Sequence, residues 1–162
     1  MTSDNAASLP PSKILIADDN LQNLELLEAY MADLPGVETL RATDGEQALD
    51  VIQREHPDLV LLDVMMPKLS GFEVCKKMKA DPATKDIPVV MVTALGEPMD
   101  IERGLESGTD DYLSKPIDRA DLIDRVKTLL NVKHLKGHLD RSLAYMDELE
   151  GELDADDASR EE

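Results

Sequence analysis

Aromatic side chains are almost missing from this chain: it has no Trp, one Phe and three Tyr in 162 residues. Any core must therefore be aliphatic, and a hydrophobic fraction of 42% is enough to build one. Cysteine is reduced to Cys75, so no internal disulfide can form and a reducing compartment is the simplest setting. Cations are scarce as well. Seventeen Lys and Arg stand against 35 Asp and Glu, a formal net charge of -18. That balance disfavours partners held by neutralised nucleic-acid phosphates or by anionic lipid. No apolar run approaches the roughly 18 residues of a membrane span, and Met1–Pro11 lacks the apolar centre of a signal peptide. The expectation is an acidic, soluble, cytoplasmic protein with no direct nucleic-acid or membrane partner.

What the chain does have is a set of short apolar strands, each stopping at a polar residue. The most apolar is Asp58–Asp63, where Val60-Leu61-Leu62 runs into Asp63, as in a strand buried on both faces of a parallel sheet. Before it, Lys13–Ala17 runs into Asp18-Asp19, and Val37–Ala42 forms a second strand. After it, Pro88–Thr93 and Asp110–Leu113 form the fourth and fifth, the last running into Ser114-Lys115-Pro116. Helical patterns lie between them. Asn20 can cap a helix carrying Leu21, Leu24, Leu27 and Met31, which Pro35-Gly36 stops. A second helix opens at Thr43-Asp44-Gly45-Glu46, with Ala48, Leu49 and Ile52 inward, and ends at His56-Pro57. Ser70–Ala80 and Met99–Ser107 supply two more, and a last helix starts near Asp118. Alternation of strand and helix specifies an α/β fold, a doubly wound parallel sheet with helices on both faces.

The carboxyl edge of such a sheet is where ligands collect. There the first strand delivers Asp18 and Asp19, the third Asp63, the fourth Thr93 and the fifth Lys115. Each has an ordinary alternative: Asp-Asp before a helix is commonly a cap, a terminal Thr is often incidental, and Lys before Pro is often a solvated loop. If these strands are neighbours, about 4.8 Å apart, the three carboxylates crowd and repel. A small hard cation relieves this, and Mg²⁺ needs only two or three carboxylates beside its waters. Three acids, one Lys and one Thr suit a phosphoryl group.

Ile14–Asn20, Leu61–Pro67 with Gly71, Val92-Thr93-Ala94 and Tyr112–Pro116 together resemble the receiver domain of two-component response regulators, over about Lys13 to Val132. The resemblance implies a five-stranded, flavodoxin-like sheet of order 2-1-3-4-5. It makes Asp63 the acceptor of a phosphoryl group from a sensor histidine kinase or histidine phosphotransfer protein. Asp18, Asp19, Asp63 and the Met65 carbonyl would hold Mg²⁺, Asp18 through water. Lys115, Thr93 and the Ala94 N–H would hold the phosphoryl oxygens, and Tyr112 would act with Thr93 as a switch. Pro116 is usually cis in receivers, and the sequence shows only that cis is possible. The face expected to change comprises the fourth helix, fifth strand and fifth helix, with Arg103, Asp110 and Arg119. Met65 and Leu95 are apolar where receivers can carry polar residues that orient water, so a long-lived acyl phosphate is expected. The resemblance describes a signalling switch that assists its own phosphorylation, not an enzyme acting on other substrates. A receiver-like scaffold that is not phosphorylated is the runner-up. A Mg²⁺-dependent phosphatase of the haloacid dehalogenase type is disfavoured because Met65 stands where that family has a second acid.

Receivers normally end near Val132, so the receiver is placed at 12–132 behind a flexible leader, 1–11. Beyond it Val132, Leu135, Leu139, Met146, Leu149 and Leu153 keep a seven-residue a/d pattern interrupted by Ser142. The stretch 133–153 is expected to be a helical extension and coiled coil, a homodimer or docking element similar to the linker between receivers and dimeric outputs such as diguanylate cyclases. A solitary surface helix is the alternative. The output partner is not specified by the residues, and either the chain stands alone or an output belongs after it. Ten acids from Asp140 on face only Arg141 and Arg160, -8 of the total charge, and 154–162 is expected to be a frayed acidic tail. His134 and His138 have the spacing of a helical metal clip but lack a third ligand, and Cys75 is expected to pack.

Overall fold

The computed structural model describes residues 11–94 and 108–160; from 131 onward it describes the side chains of 131–136, 139 and 142–146. Five strands form one parallel sheet: β1 (Ser12–Ala17), β2 (Val37–Ala42), β3 (Leu59–Asp63), β4 (Val89–Thr93) and β5 (Asp111–Ser114), in the order β2-β1-β3-β4-β5. Four helices are described: α1 (Leu21–Met31), α2 (Gly45–Glu55), α3 (Gly71–Ala80) and α4 (Arg119–Arg160). The fold class and strand order expected from the sequence are those observed. The expected leader and the expected helix Met99–Ser107, with Leu95 and Arg103, fall outside the described residues except for Pro11.

Two aliphatic clusters, one on each face, hold the sheet. Leu15, Val60, Leu62 and Met91 point to one side with Val51, Ile52, Val74 and Met78 of α2 and α3. Ile14, Ile16, Leu61 and Val90 point to the other with Leu24, Leu27 and Met31 of α1 and Leu122, Val126 and Leu130 of α4. Alternate residues of one strand serve opposite layers, so β3 and β4 are buried at every position. That is why their sequences read as unbroken apolar runs. Leu21, which shares the helical spacing of Leu24, Leu27 and Met31, is 56% exposed while those three are buried. It is the first residue of the helix, a turn below the layer that Leu24, Leu27 and Met31 fill.

Local signals set the element ends. Asn20 accepts the Asn23 N–H, Asp44 the Gln47 N–H, and Asp118 the Asp121 N–H, each satisfying a donor the first helical turn leaves open. Ser70 and Glu73 form a full capping box at the start of α3. Lys79 closes the far edge: its ammonium donates to the Ile87 carbonyl at 2.6 Å and to Asp110 at 3.2 Å, while Asp110 accepts the Val89 N–H. This ties α3 to the strands on either side of the turn at Gly108. At the start of α4 the Arg119 guanidinium pairs with Asp33, just beyond α1.

The chain divides into two compact units, Met1–Leu130 and Asn131–Glu162. The boundary falls two residues before the expected 132. Helix α4 is described to Arg160, so most of the stretch expected to fray is helical. The stretch has no proline or glycine to stop the helix.

Candidate functional site

Parallel pairing fixes which strand ends meet. β3 lies between β1 and β4, with Leu62 opposite Ala17 and Asp63 opposite Val92, so Asp18, Asp63 and Thr93 leave the sheet within one residue of the same level. β5 adds Ser114 opposite Thr93, and the Lys115 N–H donates to the Thr93 carbonyl at 2.8 Å. The Lys115–Pro116 peptide is cis. A register slip of one residue on any strand would turn its polar terminus to the other face.

The three carboxylates converge: ligand atoms of Asp18, Asp19 and Asp63 all lie within 4.8 Å of one another. Asp18 and Asp63 are buried at 1% and 5% exposure, whereas Asp19 faces solvent. The Lys115 ammonium sits 3.3 Å from an Asp18 oxygen and 3.4 Å from an Asp63 oxygen. The other Asp18 oxygen accepts the Asn20 N–H at 2.9 Å. Asp18 thus both braces the entry to α1 and belongs to the acid cluster, so the capping and site readings of Asp-Asp hold together.

Electrostatics follow from that crowding. Burial, then the neighbouring Asp18 charge, push the Asp63 carboxyl up from 3.8 to about 6; Lys115 and a Met65 backbone N–H pull it down but do not win. The cluster's side chains carry more negative charge than one lysine neutralises. All three donors are hard oxygens, so the residues present fit a small divalent ion such as Mg²⁺.

Thr93 is buried at the end of β4, Ala94 follows it exposed, and the Met65 side chain points to solvent. Tyr112, half-buried on β5, packs against the cluster containing Val74, Cys75 and Met91. Every site residue read from the sequence is therefore described. Two supporting features were not legible as such. A Cβ on Gly71 would lie 2.3 Å from the Asp63 carbonyl, so the loop can return to the strand end only with glycine there. Lys68 takes a left-handed φ of 69° beside Asp44 and Glu46, which no local sequence signal announces. Alongside the acids, a groove of about 490 Å³ is lined by Asn23, Leu26, Leu27, Tyr30, Lys115, Pro116 and Ile117.

Residues 14–127 match the family model of the response regulator receiver domain, and the chain belongs to that family. It is 49% identical over 123 residues to the response regulator PleD of Caulobacter vibrioides, covering 75% of this chain and 27% of that protein. Among solved structures, it is similar to the receiver domain of the Francisella response regulator 1452, with 33% identity and a TM-score of 0.68 over 74% of this chain and 97% of that one. It is similar too to the receiver domain of the sensor histidine kinase PA1611 from Pseudomonas aeruginosa, which holds a magnesium ion in its active-site cleft. That match has 30% identity and a TM-score of 0.69 over 74% of this chain and 98% of that one. The chain spans less than half the length of the curated relatives it matches. Among the described residues, no helix is long and apolar enough to cross a membrane.

Proposed function

We propose that this receiver takes a phosphoryl group onto Asp63 from a phosphohistidine on a kinase or phosphotransfer protein. The observation that supports it most is the excess of buried negative charge, two sunken carboxylates and a third beside them against one Lys115 ammonium. Mg²⁺ would be held by Asp18, Asp19, Asp63 and the Met65 carbonyl, and when bound it supplies positive charge against the oxygens of the transferring group. An Asp63 oxygen attacks phosphorus, the P–N bond to the donor imidazole breaks, and the imidazole keeps the electron pair. Lys115 neutralises the oxygens thus brought in, and the Thr93 hydroxyl and Ala94 N–H donate to them. Such transfer depends on positioning and charge neutralisation more than on covalent help.

The donor's helix would lie over the groove beside Lys115, because a protein that delivers a phosphoryl group to Asp63 must cover the surface adjoining it. Leu26, 45% exposed, gives that surface its apolar floor. Phosphorylation adds about -1.5 to -2 charges. Thr93 and Tyr112 would convert this into a new surface on β5 and the first turns of α4, or into a change in the extension. The exposed apolar residues of that extension support a homodimer, and cytoplasmic location follows from the kinase partnership proposed.

Incubation with Mg²⁺ and a small acyl-phosphate donor tests this reading. The expected outcome is a mass gain of one phosphoryl group that disappears in Asp63→Asn. No gain in the wild type would favour a non-phosphorylated scaffold, and turnover of free phosphate esters would favour a phosphatase. With Met65 apolar two places after Asp63, the labelled protein should lose its phosphoryl group slowly; decay as fast as in the quickest receivers would remove that expectation.

A further inference from the structure

The second unit carries a charge gradient along a helix with an exposed apolar stripe, and the two features together select an orientation. Val132, Leu135, Leu139, Leu143 and Met146 are each at least 51% exposed, at spacings of three and four along α4. With Val132 at position a of a heptad, Leu135 is d, Leu139 a, Met146 a and Leu149 d. Gly137 and Gly151 both fall at f, the position farthest from the seam. Charge divides the same helix. Segment 131–141 carries Lys133, Lys136 and Arg141 against Asp140, net +2, whereas 142–150 carries Asp147, Glu148 and Glu150, net -3. The stretch after 150 is more acidic still.

We propose that two copies of this chain pair through 131–150 as an antiparallel coiled coil, basic half against acidic half. This rests on the homodimer reading of the extension given above and adds the orientation. In an antiparallel pair, a positions layer with d positions of the partner, which sets Val132 against Leu149, Leu135 against Met146 and Leu139 against Ser142. In the same register the two e positions that meet are Lys136 with Glu150, twice by symmetry, and Leu143 with its own copy near the dyad. Leu143 therefore has an apolar neighbour that a strict a/d seam would not give it. The parallel alternative lays acid on acid, with helices about 8–10 Å apart, a distance no greater than the Debye length of about 10 Å at 0.1 M salt. Its g-to-e pairs would be Asn131–Lys136, His138–Leu143 and Tyr145–Glu150, none of opposite charge. An isologous antiparallel pair is also closed, so it stops at two copies.

The full-length chain tests this with single cysteines under mild oxidation, since the resident Cys75 is buried. Val132→Cys alone and Leu149→Cys alone should not cross-link, because like positions lie some 25 Å apart, 17 residues at about 1.5 Å each. A mixture of the two variants should cross-link between copies. Disulfide formation by Val132→Cys alone overturns the antiparallel arrangement while leaving the dimer intact. A monomer by light scattering at every concentration overturns both. As a measure that needs no cysteine, Lys136→Glu should weaken association at least tenfold and adding Glu150→Lys should restore it; equal affinity for wild type and both variants would also overturn the orientation.

Discussion

The two units of the chain, Met1–Leu130 and Asn131–Glu162, depart from the usual distribution of polar and apolar groups in opposite directions. The first sinks polar groups: Asp18, Asp63 and Thr93 are each 5% exposed or less. The second displays apolar ones, with Leu135 at 66% and Val132, Leu139 and Met146 at 56% exposure. Burying an unpaired charge costs several kcal/mol, and each Leu left in water forgoes about 1.5–3 kcal/mol. Neither arrangement is the most stable for the chain alone. A cation and a phosphoryl group would complete the buried acids, and the proposed second copy would cover the exposed stripe.

The comparison breaks most readily at Gly71. If the acids are sunk because a closely fitted loop carries them down, adding one methyl group there should be felt throughout the first unit. The added Cβ would lie 2.3 Å from the Asp63 carbonyl and 3.0 Å from the Val64 Cα. Both are backbone atoms that cannot turn aside. Gly71→Ala should destabilise the first unit by at least the usual overpacking cost of about 1–3 kcal/mol, read as a lower urea midpoint. An unchanged midpoint would mean that the loop is loose and that the burial of Asp63 is not built into the fold.

A smaller effect sharpens the electrostatic half. The Asp63 carboxyl is held up at about 6 against 3.8 when unfolded, first by burial and then by Asp18. Between those values the folded protein keeps a proton that the unfolded chain releases. Metal-free stability should therefore fall as pH rises from about 4 to 6 and stay lower above that. Asp63→Asn cannot ionise and should melt higher than the wild type at pH 8 in EDTA, by on the order of 1–3 kcal/mol. Near pH 4 that advantage should be gone. Mg²⁺ should narrow the gap at pH 8 by stabilising the wild type. If the variant is no more stable than the wild type at pH 8, the cluster is not frustrated.

The sequence exposed this first unit well because its physics is local and periodic. Strands buried on both faces are apolar at every position, as in Val60-Leu61-Leu62, and helices open at Asn20, Asp44, Ser70 and Asp118. Once strand order is known, the carboxyl ends fall together without further information. The residues that were not legible act across long separations. Lys79 reaches Asp110 over 31 positions. Arg119 pairs with Asp33 over 86 positions. Arg125 links Asp111 of β5 to Asp121 of α4, of which only the i,i+4 half could be read from spacing. The extent of α4 differs for another reason: charge repulsion suggested fraying, whereas 154–160 holds no proline or glycine and the helix is described to Arg160.

The smallest expected effect decides whether the two units are energetically separate. Leu122, Val126 and Leu130 are fully buried in the first unit's core, and none of the described side chains from 131 to 146 is buried. A chain ending at Val132 keeps every residue of α4 that is buried among those described. The described side chains it loses are exposed or half-exposed and contribute little to the first unit, and it frees new terminal carbonyls that water can satisfy. Its urea midpoint should match that of the full chain to within about 0.5 kcal/mol, the usual range for surface changes. Its phosphoryl uptake should be unchanged, while association measured by light scattering should be lost. A shortened chain that unfolds early would show that the extension supports the core, and the contrast between a self-sufficient charged site and a partner-seeking helix would fail.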